Sequence, residues 1–235
     1  MSLLVWNCHG FGNLHTGKEL EELIQAKDPT VVFLAETWTD KARLDQIQHY
    51  INLEHKRVVE RSNQGGGLVL FWKSIINLTV KDMSKYHIDA FINKNTDEEC
   101  PKTCRRHTAW TKLQRLNSHP NVPWLCARDF NEILKQEEKQ GGTLCSHNQM
   151  QQFREVLNEC CFLDLGFVGP KFTSSRHYTD GHSIWERLDQ GLVTNNWIIK
   201  FPSTQVQHLR CDSSNHCPLL INPTGLLIKV KKISV

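Results

Sequence analysis

The chain has 235 residues, of which 39% are hydrophobic and 23% charged, and this composition is sufficient for a sizeable core in one globular domain. Its 28 basic residues outnumber its 25 acidic residues by only three, which excludes a polybasic, histone-like binder but leaves room for a local basic face. No apolar run approaches the roughly 20 residues of a membrane span, and the first residues lack the features of a secretory signal.

Strand and helix patterns alternate in the first 51 residues. Leu3 to Trp6 is a strand candidate, and Gly17 to Lys27 carries its apolar residues at helical spacing. The continuous apolar run from Thr30 to Ala35 predicts a strand that is covered on both faces. Asp40 then predicts the amino-terminal cap of a helix over Lys41 to Ile51.

Hairpins are predicted next. Arg57 to Glu60 and Leu68 to Trp72 flank the glycine-rich turn from Gly65 to Gly67, where glycine supplies the positive φ of a tight turn. Alternating apolar residues from Ile76 to Val80 predict a half-buried strand, and His87 to Asn93 predicts another.

The second half predicts two helices and several short strands. The helices cover His107 to Leu116 and Asn148 to Cys161, and the strands cover Lys171 to Arg176, Thr204 to Arg210 and Cys217 to Ile221. Early alternation followed by hairpins predicts an α/β (α+β) sandwich, in which a mixed sheet is layered with helices.

Apolar strands that end in polar side chains are the main functional signal. Such side chains are Asn7, Glu36, Asp129, Asn131, Asp189, Asn215 and His216. Carboxylates suit a hard divalent cation, and a histidine near an aspartate suits acid–base chemistry. Any single acid at a strand end is more often a turn or cap residue, but several segments of different chemistry together predict a site.

Five motifs occur in the order found in the endonuclease/exonuclease/phosphatase family, which the chain resembles. They are Trp6 to Gly10, Leu34 to Trp38, Asp129 to Glu132, Glu186 to Asp189 and Ser214 to Pro218. The segment from Gly166 to Thr173 makes the resemblance closest to the endonuclease domain of LINE-type non-LTR retrotransposons, plant ones in particular. The resemblance extends to about Pro223, so we expect one family domain over residues 1–223 and a non-family tail over residues 224–235.

The resemblance implies a deoxyribonuclease-like sandwich of two mixed β-sheets flanked by helices, and hydrolysis of phosphate esters with magnesium or manganese. DNA is the implied substrate or ligand, and neither a membrane nor an obligate protein partner is expected. In the family pattern, Glu36 is the implied carboxylate ligand of the metal, and Asn7 is implied to support the metal or the phosphate. Asp129 is implied to position or deprotonate the attacking water.

The remaining implied roles concern the phosphate. Asn131 holds the phosphate, and His216 contacts a non-bridging oxygen while Asp189 holds the histidine ring. An acid on the far ring nitrogen fixes the tautomer and favours the charged imidazole.

The chain departs from the family pattern at two catalytic places. Asn215 stands where the family has aspartate, and an amide cannot act as a carboxylate base. The family also carries a strand with a catalytic tyrosine where this chain has Lys94 to Arg106, so about one strand of 5–6 residues is missing. We expect an exposed loop there, with a gap in the adjacent sheet. Smaller departures are Arg128, Ser174 and Gln190.

These departures leave three functional hypotheses. The first is a magnesium-dependent endonuclease of retrotransposon origin with strongly reduced activity. The second is a catalytically inactive, nucleic-acid-binding remnant, and the third is a phosphatase that acts on a small phosphate ester.

Other patterns favour ordinary structural roles. Cys100, Cys104 and His107 have loose metal spacing, but structural zinc uses four ligands. Gly65 to Gly67 lacks the lysine of a phosphate-cradling loop. The basic residues between Arg105 and Arg115 form either a solvated helix face or a contact for a phosphate backbone.

The nine cysteines are an odd number in a chain too long for a small disulfide scaffold. Those in apolar runs, such as Cys126 and Cys160, resemble reduced cysteines that pack as small hydrophobes. We therefore expect a reducing compartment, the nucleus or the cytoplasm, rather than secretion.

Overall fold

The computed structural model describes residues 1–11, 14–61, 66–92 and 122–225. The strands are β1 (Leu3–Asn7), β2 (Val31–Ala35), β3 (His55–Val59), β4 (Leu68–Trp72), β5 (Leu78–Ser84), β6 (His87–Ile92), β7 (Leu125–Asp129), β8 (Lys139–Gln140), β9 (Phe162–Asp164), β10 (Ser174–His177), β11 (Ser183–Glu186), β12 (Asp189–Thr194), β13 (Gln205–His208) and β14 (Leu219–Asn222). The helices are α1 (Leu14–Lys27), α2 (Lys41–Ile51), α3 (His147–Glu159) and α4 (Asn195–Lys200), with a 3₁₀ turn at Gln136–Glu138.

The largest sheet is mixed and has six strands, in the order β13-β14-β1-β2-β4-β3. Only β1 and β2 run parallel, with Asn7 paired to Ala35, and the other neighbours are antiparallel. Successive side chains of a strand point to opposite faces, so Leu4 and Trp6 pack with the residues of α1 and α2 while Val5 packs on the other side.

The second layer contains the antiparallel sheet β7-β12-β9 and the hairpin β5-β6. Val5, Leu219 and Ile221 of the large sheet pack against Leu125 and Ala127 of β7. Helix α3 covers the outer face of the small sheet through Phe153 and Leu157, which join Phe162 and Leu192 in one cluster. A third small sheet, β10-β11-β8, completes the described strands.

The predicted layered sandwich is confirmed. The second layer divides, within the described residues, into a three-stranded sheet and a separate hairpin instead of one mixed sheet. The segment that joins β6 to β7 in sequence includes residues 93–121, which lie outside the described residues. The predicted loop over Lys94 to Arg106, the helix over His107 to Leu116 and the nearby cysteine and basic patterns therefore remain predictions, as does the tail.

Predicted element bounds differ from the observed ones by a few residues. Helix α1 begins at Leu14 instead of Gly17, and α3 ends at Glu159, before Cys161 with its positive φ of 53°. The predicted cap at Asp40 is confirmed, because its carboxylate accepts the N–H of Arg43 at 2.9 Å. None of the helices within the described ranges combines the length and the apolar character needed to cross a bilayer.

Candidate active site

The site lies where strands of both layers end. The parallel register of β1 and β2 places Asn7 beside Ala35, so Glu36 follows immediately at the same sheet end. In the second layer Asp129 ends β7 and Asp189 begins β12, and the two residues are direct antiparallel partners. Strand pairing therefore brings these residues together within each layer, and packing of the two layers then joins Asn7 to Asp129.

A buried aspartate–histidine pair forms the centre of the site. His216 Nδ1 donates to Asp189 Oδ2 over 2.8 Å, and the two residues are only 6% and 3% exposed. Thr173 Oγ1 accepts the backbone N–H groups of both Leu188 and Asp189, which fixes the start of β12. The predicted contact between Asp189 and His216 is confirmed.

The charge state of His216 follows from these neighbours. Burial disfavours the imidazolium, but the hydrogen bond that His216 donates to Asp189, the charge of Asp189 and the charge of Asp129 outweigh burial and raise the pKa of His216. The ring therefore remains protonated to a higher pH than a free histidine.

Asp129 lies on the other side of the ring. Its Oδ2 is 3.8 Å from His216 Nε2 and accepts Asn7 Nδ2 at 3.1 Å. Its Oδ1 accepts the N–H of Asn131 at 2.8 Å, where Asn131 adopts a φ of 55°. The structure thus joins Asn7, Asp129, Asp189 and His216 by direct contacts, and it adds Asn131 through its backbone.

Glu36 is held by a turn of unusual backbone geometry. Its φ is 53°, and its Oε2 accepts Trp38 Nε1 at 2.7 Å and the N–H of Gly66 at 3.0 Å. Gly67 is required beside it, because a Cβ at that position would be 2.4 Å from Thr37 Oγ1. Glu36 is therefore preorganised at the end of β2.

The segment that carries His216 is anchored to β1. Ser214 Oγ donates to the carbonyl of Asn7 at 3.0 Å and accepts the N–H of His216 at 3.1 Å. Trp6 Nε1 donates to the His216 carbonyl at 2.9 Å. Asn215 Oδ1 is buried and has no hydrogen-bond partner among the described residues.

The donors fit a divalent cation. Asp129, Asp189 and His216 each offer one ligand atom, and these atoms lie within 4.8 Å of one another. Asp189 and His216 bond to each other, whereas each oxygen of Asp129 accepts one hydrogen bond and keeps a lone pair for an ion. Asn7 Oδ1 is buried beside it without a partner in the described part of the chain, as suits the oxygen ligands that hard cations prefer. Glu36 is not a member of this three-residue group, so its metal role stays a prediction.

A cavity of about 340 Å³ adjoins the site at Asn131 and Leu188. Its wall also includes Arg176 and the ion pair between Lys139 Nζ and Glu186 Oε1, which is 2.8 Å long. This polar cavity provides room for a substrate group beside Asn131.

The three smaller departures occupy structural positions. Arg128 Nε donates to the carbonyl of Asp129 at 2.8 Å, and Gln190 is fully buried with its amide donating to the Glu132 carbonyl at 3.2 Å. Ser174 is buried in β10 and forms a bridge to His216.

Arg187 is a key structural residue that sequence reasoning did not single out. It is 2% exposed, and its guanidinium binds Asp164 through two hydrogen bonds of 2.7 and 2.8 Å and Glu138 at 2.7 Å. Its position within the Glu186 to Asp189 motif is the sequence signal that could have identified it. It braces the start of β12, which carries Asp189.

Comparison with known proteins identifies the family and the fold. Residues 4–209 match the model of the Endonuclease/Exonuclease/phosphatase family. A search of curated proteins finds no significant match.

Several solved structures share the fold. The AP endonuclease LMAP from Leishmania major matches with a TM-score of 0.66 and 15% identity, covering 94% of this chain and 86% of that one. The 3'-5' exonuclease NExo from Neisseria meningitidis matches with a TM-score of 0.64 and 13% identity, covering 94% and 99%. The endonuclease domain of TRAS1, a telomere-specific non-LTR retrotransposon, matches with a TM-score of 0.57 and 10% identity, covering 94% and 97%. At these identities the likeness shows the fold.

Proposed function

This chain belongs to the endonuclease/exonuclease/phosphatase family, and from that membership we propose that it is a magnesium- or manganese-dependent phosphodiester hydrolase that nicks DNA. The observation that carries the proposal is the buried 2.8 Å bond between Asp189 and His216 with Asp129 on the far side of the ring. This arrangement pairs a charged hydrogen-bond donor with a carboxylate acceptor in one place, as hydrolysis of a phosphate ester requires.

His216 acts on the phosphate. Asp189 holds the Nδ1 proton, so Nε2–H is free to donate to a non-bridging oxygen as negative charge develops there. The raised pKa of His216 keeps this proton in place to a higher pH than in a free histidine. The bond to Asp189 also fixes the ring orientation, so little reorganisation is needed.

Asp129 acts on the attacking water. Asn7 and the Asn131 N–H each occupy one of its carboxylate oxygens, which fixes its plane while lone pairs remain to accept a water proton. The divalent ion, when bound, supplies Lewis-acid stabilisation of phosphate charge, and Asp129, Asn7 and Glu36 are the oxygen donors that would hold it.

DNA is the proposed substrate. The order of motifs and the fold likeness to the TRAS1 endonuclease domain support a retrotransposon origin. A solved structure of NExo from Neisseria is bound to a product DNA hairpin, which supports DNA for this fold. The cavity beside Asn131 has the polar lining suited to a nucleotide group.

The proposed activity is low. Asn215 replaces the aspartate of the family motif, and its buried Oδ1 carries no charge. A lost acid–base group, as at Asn215, costs on the order of 10²–10⁴ in rate. A lost donor to an oxyanion, the work that we assign to the family's tyrosine, costs on the order of 10²–10³. We therefore expect nicking several orders of magnitude slower than by an intact relative.

Nicking of supercoiled plasmid with magnesium or manganese tests the proposal. The wild type is compared with His216→Ala and with His49→Ala, a matched control on the exposed face of α2. We expect His216→Ala alone to lose activity. Equal nicking by all three proteins would indicate a contaminant and overturn the proposal.

Asn215 favours a second candidate, a catalytically inactive remnant that still binds nucleic acid. The same preparations distinguish it: no nicking by the wild type, together with DNA binding that weakens as salt rises, would support the remnant. Hydrolysis of p-nitrophenyl phosphate without plasmid nicking would support a small phosphate ester as substrate.

A further inference from the structure

The acidic side chain of Glu19 joins the outer helix layer to the loop that carries His216. Glu19 lies on α1, and its Oε1 accepts the N–H of Asp212 at 2.8 Å while its Oε2 accepts the N–H of Ser213 at 2.9 Å. The contact spans 193 residues of sequence. Both carboxylate oxygens are used on two consecutive backbone amides, so the loop is held at two points.

This loop connects β13 to β14 and leads directly into the site. Ser214 follows the held amides, donates to the Asn7 carbonyl and accepts the His216 N–H. His216 then bonds to Asp189. Glu19 is therefore linked to the histidine ring by an unbroken path of backbone and hydrogen bonds.

A solubilising role does not explain this geometry. Glu22 lies three residues along the same helix and is exposed, as expected of a charged residue on a wet face. Glu19 is half-buried instead, and a charged acceptor for backbone N–H groups forms stronger hydrogen bonds than a neutral one.

We propose that Glu19 is a positioning residue that sets the conformation of the Asp212–His216 loop and thereby the alignment of His216 with Asp189 and Asp129. The catalytic consequence rests on the proposed function. Glu19 touches neither substrate nor reacting atoms, so it acts on the reaction through the loop.

Two substitutions of graded severity test this role. Glu19→Gln keeps the size of the side chain but leaves only one acceptor oxygen. Its NH₂ group then faces a backbone N–H, and two donors cannot form a hydrogen bond with each other. Glu19→Ala removes both acceptors. Glu22→Gln is the matched control, because it makes the same charge change on the same helix.

Amide hydrogen exchange and proton NMR spectra of these variants are measured first. We expect faster exchange at Asp212, Ser213 and His216 in Glu19→Gln, and more so in Glu19→Ala, with the β1–β14 amides unchanged. The downfield Nδ1–H signal of His216 should broaden in the same order. Unchanged exchange and an unchanged signal in both variants would overturn the proposal.

Plasmid nicking is read second. We expect kcat to fall on the order of 10- to 100-fold in Glu19→Ala, less in Glu19→Gln and not at all in Glu22→Gln, with KM for DNA unchanged. Loosened amides with an unchanged kcat would overturn the positioning role. A wild type that hydrolyses nothing overturns the proposed function, whereas the exchange and NMR readouts still decide whether Glu19 positions His216.

Discussion

Replacing Asp189 with asparagine tests the acid–histidine pair with a minimal change in shape. The amide keeps the volume of the side chain, and its oxygen still accepts the Nδ1 proton of His216. What disappears is the negative charge 2.8 Å from the ring, in a position only 3% exposed. Burial still disfavours the imidazolium of His216, but the charge of Asp189 no longer compensates for it, so the pKa of His216 should fall.

The size of the effect follows from Coulomb's law. Two unit charges about 4 Å apart interact by about 4 kcal/mol at an effective dielectric constant of ~20. Because 1.36 kcal/mol corresponds to a factor of ten, the ratio of charged to neutral His216 falls on the order of 10³-fold. Asp129, whose Oδ2 is 3.8 Å from Nε2, acts on the ring in both proteins and does not change this difference, so we expect nicking to fall by up to about 10³-fold at a pH where the variant's ring has lost its proton.

The pH dependence of nicking shows whether the loss of the charge on Asp189 causes the decrease in rate. The wild-type pKa of His216 is raised, so its active, protonated form persists to higher pH and is lost as pH increases. In Asp189→Asn this loss should occur at lower pH, so the variant's deficit should grow as pH increases between the pKa of the variant's His216 and that of the wild type. Plasmid nicking across this range, with Asp45→Asn on α2 as control, checks the expectation. Parallel pH profiles for Asp189→Asn and the wild type would refute the reasoning.

Three further predictions concern residues around this centre. Asn215→Asp should raise the plasmid-nicking rate, yet by less than the ~10²–10⁴ of a complete acid–base group; an unchanged rate would count against a role for position 215. Arg187→Met should reduce the free energy of unfolding in urea by about 1–3 kcal/mol, since the half-buried carboxylates of Asp164 and Glu138 lose their charged hydrogen-bond donor, and a loss below about 0.5 kcal/mol would contradict this. Burial lowers the pKa of His208 from 6.5 to about 4. Between these two pKa values the unfolded chain binds a proton that the folded chain does not, so the free energy of unfolding should fall by up to about 3 kcal/mol as pH decreases from 6.5 to about 4. His208→Gln should flatten this part of the urea-derived stability profile, and an equally steep profile would show that other groups cause it.

Local patterns and motif order made part of the site predictable. Val31, Val32 and Leu34 within the run from Thr30 to Ala35 are buried, and the polar residues after such strands meet at one sheet end. The pairing of Asp189 with His216 came from the resemblance, and the structure confirms it. Residues that act at strand ends thus leave a local signal in the sequence.

Long-range supports leave no such signal. Glu19 is a charged residue on an amphipathic helix, and nothing in its neighbourhood indicates contact with Asp212, 193 residues away. Arg187 is a charged residue within a motif, and its burial depends on acids contributed by Asp164 and Glu138. Such partners become visible only when the sheets have packed.

The place of β1 in the large sheet has a consequence for how the chain folds during synthesis. β1 is hydrogen-bonded on one side to β2, about 30 residues later, and on the other to β14, beyond residue 218. Until β14 emerges from the ribosome, Leu3, Leu4 and Val5 present an open strand edge of apolar residues, the kind of edge that pairs with other chains. Such late, non-local pairing is slow and prone to aggregation, so expression should depend strongly on chaperones and on temperature.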